Sequence, residues 1–166
     1  MTSKEQKNQM TDEFGGIRDR LQTQSKLIQK AYENKNRQVL KLLVNESGEA
    51  LAKKLLGQYN SFLQEHEQPL IKFKEMGLEM LALAAICTCF LKAISELLHL
   101  ELENKEERNW IKSEVHSCAA NTSQAIHFTF GEKVSPRYIG NGVSRRAVLH
   151  VAREFFEANP DSLIRF

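Results

Sequence analysis

Met80-Leu-Ala-Leu-Ala-Ala-Ile-Cys-Thr-Cys-Phe-Leu91 is the most apolar stretch of the chain, twelve residues without a charge, bounded by Glu79 and Lys92. A helix that is apolar on nearly every side is one that other elements surround. Twelve residues fall short of the ~20 that cross a bilayer. The stretch therefore reads as the middle of a core helix, and no membrane span is expected. Working outward, the helix is expected from about Leu70 to Leu102. Pro69 suits its first turn, where a missing N–H costs nothing.

The rest of the chain supports an all-α reading. Its 166 residues, 42% hydrophobic and 27% charged, suit a single domain with one core. Eight glycines and three prolines are few turn-formers for this length, which favours long helices. Residues 1 to 16 are polar and end in Phe14-Gly15-Gly16, read as a flexible lead-in because each glycine costs a helix ~1 kcal/mol. From Ile17 the residues Leu21, Ile28, Ala31, Val39, Leu42 and Leu43 recur at spacings of three and four. They predict one long, partly exposed helix to Val44. Gln24, Lys35 and Gln38 interrupt its apolar seam, so a self-contained coiled coil is not favoured.

Asn45-Glu-Ser47-Gly48 is a stop-and-start cluster in which Asn45 or Ser47 can cap the next helix. That helix carries Ala52, Leu55, Leu56, Tyr59, Phe62 and Leu63 on one face. Beyond the central helix, Glu101, Glu103, Glu106 and Glu107 with Asn104 read as a solvated turn leading into a helix through Trp110, Ile111, Val115, Cys118 and Ala119. Ile126-His-Phe128-Thr-Phe130 alternates with period two and suggests a short extended stretch. Gly131 to Gly142 reads as loop. A final helix follows Ser144, with Ala147, Val148, Val151, Ala152, Phe155 and Phe156 on one face, and ends before Pro160. The expectation is about five helices in a single domain over residues 17–166, with 17–44 available as a docking arm.

The chain carries little that points to chemistry. No Gly-rich phosphate loop follows the Gly15-Gly16 pair, and no G-x-S-x-G elbow occurs. Cys87 and Cys89 sit in the most apolar segment, where burial suppresses thiol reactivity. Two residues apart on a helix, they point about 200° from each other and cannot share a metal or a disulfide there. Cys118 makes an odd third cysteine, which fits a reducing compartment. With His99, His116 and His127 it shows no metal-ligand spacing. Glu65-His66-Glu67 points to different sides of a helix. The expectation is a non-enzymatic protein with no cofactor and no metal. No secretory signal is visible in the polar N-terminus, so a cytoplasmic location is expected.

Charge argues for protein partners. Twenty-three basic and twenty-one acidic residues leave +2, which gives no general reason for nucleic-acid binding. The balance is uneven: residues 1–40 carry +3, residues 41–125 carry −3 and residues 126–166 carry +2. In the C-terminal part Arg137, Tyr138, Asn141, Arg145 and Arg146 fall on one loop and the following helix start. Arg and Tyr combine large contact area with directional hydrogen bonds, so these five are the candidate partner-binding residues.

Gly142-Val143-Ser144, followed by Val148, Val151, Phe155-Phe156 and Pro160-Asp161, resembles the closing helix of the Rap/Tai type of type VI secretion immunity proteins. Cys87-Thr-Cys-Phe90-Leu91-Lys-Ala93-Ile94-Ser-Glu96 is similar to that family's central helix. The resemblance covers residues 78–165. It implies a small, all-helical, often dimeric protein that neutralises a toxin by binding it. Tyr138 stands where the family has a cysteine, so the family disulfide is not implied. A second reading makes the chain an accessory subunit or adaptor of a larger bacterial assembly, for secretion, mobilisation or phage, docking through its N-terminal helix.

Overall fold

A computed structural model of the chain describes residues 3–65, 67, 77–98 and 105–130, with the single positions 150 and 154. Five helices and no strand occur among the described residues: α1 (Ser3–Glu33), α2 (Arg37–Leu43), α3 (Glu46–Glu65), α4 (Gly77–Leu98) and α5 (Lys105–Phe130). The all-α architecture around a central apolar helix is the one expected. The ends expected near Leu70 and Leu102 lie outside the described residues, as does the loop and most of the helix expected after Phe130. Only His150 and Glu154 of that last helix are described; both are helical and exposed, paired at 3.2 Å.

α4 is the hub and packs against each of the other four helices. Ala82 to Cys87, Cys89 to Leu91, Ala93, Ile94 and Leu97 are all buried, while Lys92 and Ser95 reach solvent. By length and apolarity the stretch Gly77–Leu97, with mean hydropathy 1.8, matches a membrane span, and it exceeds the twelve-residue run at its centre. Its enclosure by the other helices marks it as the core. Thr88 keeps its hydroxyl satisfied there by donating to the Ala84 carbonyl at 2.9 Å, as Thr122 and Thr129 do one turn back in α5.

α1 lies antiparallel to α4 and parallel to α5, as its cross-links show. Arg20 pairs with Glu96, and Tyr32 donates to a Glu79 carboxylate oxygen at 3.3 Å, so rising numbers on α1 meet falling numbers on α4. Ile17, Leu21, Ile28 and Ala31 are buried against the hub. From Ile17 onward α1 is thus a wall of the bundle and not a free arm.

Three local expectations are corrected. Gly15-Gly16 does not break α1, which is continuous from Ser3 to Glu33. A β-carbon at either position would meet open space, so the glycines serve no packing role. Burial of Ile17 and Leu21 outweighs their propensity cost, as tertiary packing commonly does.

The long helix expected over 17–44 is instead two. Lys35 takes φ 53, the Asn36 N–H donates to Ala31 O at 2.8 Å and the Lys35 N–H to Tyr32 O at 3.1 Å. This is a Schellman end with lysine in the left-handed position usually held by glycine. Asn36 at once caps α2, its side chain accepting from the Val39 N–H. The third correction concerns residues 126–130, which continue α5 as helix. A five-residue alternation has no neighbouring strand to pair with among the described elements.

Asn45 settles the choice of cap for α3: its Oδ1 accepts from the Gly48 N–H at 2.7 Å. The Asn45 N–H donates to Thr88 Oγ1 at 3.1 Å, and Asn45 Oδ1 lies 3.3 Å from that hydroxyl, whose single proton goes to Ala84 O at the shorter distance. The α2–α3 corner is thereby tied to the middle of the hub. Gly48 is buried at that point, where the two backbones come close.

Candidate functional site

The five candidate partner-binding residues, Arg137, Tyr138, Asn141, Arg145 and Arg146, lie outside the described residues. Within the described residues the geometry draws attention elsewhere. On α1, Arg18, Gln22, Ser25 and Gln29 follow one another at steps of four, three and four, which places them in one stripe. On α5, Ser117, Asn121 and Gln124 do the same. Because the helices run parallel, the two stripes face each other along a groove.

Two adjoining recesses make up this groove, about 250 and 320 Å³, and both are lined by Gln22 and Asn121. Gly15 contributes bare backbone, and Ala120 and Ala125 only methyl groups. The side-chain amides of Gln22, Asn121 and Gln124 have no hydrogen-bond partner among the described residues. Gln29 uses its amide N–H₂ on Glu33, 3.2 Å away, which leaves its carbonyl oxygen facing outward chemistry. Ser25 and Ser117 spend their hydroxyls on carbonyls one turn earlier.

Charge in the groove is nearly cancelled. Arg18 Nε lies 3.2 Å from Glu114 Oε2, with Glu114 almost entirely buried. Neither atom has an aligned hydrogen bond, so the contact is held by charge. Asp19 lines one recess and Lys26 the other, which separates two further opposite charges by seven residues of helix.

The thiols belong to the core. All three cysteines are free and buried. Burial pushes Cys87 far above its ordinary value, helped by neighbouring Cys89. Burial likewise lifts Cys89 to about 11 against the pull of Lys92. Cys118 rises to about 11 through burial and then Glu114, with Arg18 opposing. A neutral buried thiol is a poor nucleophile and a poor metal ligand. Among the described residues no group of three or more His, Cys, Asp or Glu side chains gathers closely enough to hold a metal ion.

No protein family, curated protein or solved structure matches this chain. The Rap/Tai resemblance therefore stands on its own residues. Of these, Cys87, Cys89, Phe90, Leu91, Ala93 and Ile94 are buried in α4, as the inner face of any core helix would be. Gly142, Val143, Ser144 and Pro160 lie outside the described residues.

Sequence reasoning missed the groove because it treated polar positions on α1 as a solvated face. The usable signal was the polar spacing, four-three-four on α1 and four-three on α5. That spacing becomes informative only once the two helices are known to be neighbours.

Proposed function

We propose that this chain is a non-enzymatic protein-binding protein, a helical bundle that acts by docking on another protein. The observation that supports it is the outward-facing α1–α5 groove, with three unpartnered carboxamides above small side chains. Polar groups in a concave surface, with their hydrogen bonds unused inside the fold, are ready for an external partner. Two settings fit such docking. Neutralisation of a toxin is the setting the Rap/Tai resemblance suggests. Service as an adaptor of a larger assembly is the setting the groove favours, since its long wall is the N-terminal helix.

Crosslinking of the full-length tagged chain in its source cell tests the proposal, with a photo-reactive side chain placed at Lys26. One stoichiometric crosslinked protein supports toxin neutralisation. Several subunits of one assembly support the adaptor setting. A chain that yields no stoichiometric crosslinked partner overturns the reading. Surface substitution is the right tool here, because removing residues 1–45 would take away the core residues Ile17, Leu21, Ile28, Ala31 and Leu40.

A further inference from the structure

We draw no further inference here: the strongest candidate, the surface of α2 around the exposed Leu42, has the exposed acids Glu33 and Glu46 near it as well as the exposed bases Lys35, Arg37 and Lys41, and nothing in the structure shows what covers it.

Discussion

Gly48 of α3 rests directly on the turn of α4 that ends at Thr88. A β-carbon at position 48 would overlap the Thr88 hydroxyl and come within 2.7 Å of both the Ala84 carbonyl oxygen and the Thr88 nitrogen. The hydroxyl could turn away, but the backbone atoms of a buried helix cannot. Gly48→Ala should destabilise the protein by about 2 to 3 kcal/mol through overpacking. Adding Thr88→Ala should recover only part of that loss. Urea midpoints of the single and double variants, compared at unchanged slope, provide the measurement.

Lys35 holds the left-handed position that ends α1, where a β-carbon costs roughly 1 kcal/mol that glycine avoids. Lys35→Gly should therefore stabilise the fold by about 0.5 to 1 kcal/mol, despite glycine's greater freedom in the unfolded chain. Lys35→Val, branched at the β-carbon, should destabilise it. Thermal melts that rank Gly above Lys above Val would confirm the geometry of this corner.

Arg18 and Glu114 should behave as a coupled pair. Removing the cation alone strands a carboxylate that is only 8% exposed, so Arg18→Met should cost about 1 to 3 kcal/mol. Arg18 keeps partial access to solvent, which sets the figure below that for a fully buried pair. Replacing both partners, as Arg18→Met with Glu114→Leu, should be close to neutral because no charge remains to be compensated. A double-mutant cycle with additive losses would show that the two residues do not interact.

Alkali should unfold this protein through its thiols. Cys89 and Cys118 ionise near 9.0 when exposed and near 11 in the fold, and Cys87 is displaced further in the same direction. A folded value above the unfolded one means that the stabilising contribution is complete below pH 9. It is lost as pH rises from about 9 through 11. Urea denaturation at successive pH values should show that decline, and Cys118→Ala should flatten it. A disulfide reagent should leave the native protein unmodified and label all three cysteines once it is unfolded.

The central helix was legible because the run from Met80 to Leu91 leaves no polar face, and only an enclosed position suits that pattern. The α3 start was legible too, since Asn45 is one of the few residue types that cap well. The α1–α2 break was not: Asn34-Lys35-Asn36 contains neither glycine nor proline, and an exposed lysine takes the left-handed position that glycine usually fills. Gly48 looked like a turn residue, because the need for close approach depends on Thr88, forty residues away. The groove stayed hidden for the same reason, since the stripes on α1 and α5 gain meaning only from being parallel neighbours. The candidate loop residues Arg137, Tyr138, Asn141, Arg145 and Arg146 lie outside the described residues.

The hub arrangement also sets the order in which the molecule comes apart. Among the described residues α1, α4 and α5 each touch the other two, whereas α3 leans chiefly on α4. Releasing α3 breaks one interface and leaves a closed triangle of helices behind. Releasing α4 leaves α3 with no principal support. Amide hydrogens of α3 should therefore exchange through a local opening well below the global unfolding free energy, and those of α4 only with the whole. Among the described residues the fold is, in that sense, a three-helix unit with α3 hung on its centre and the short α2 resting on α1 and α4.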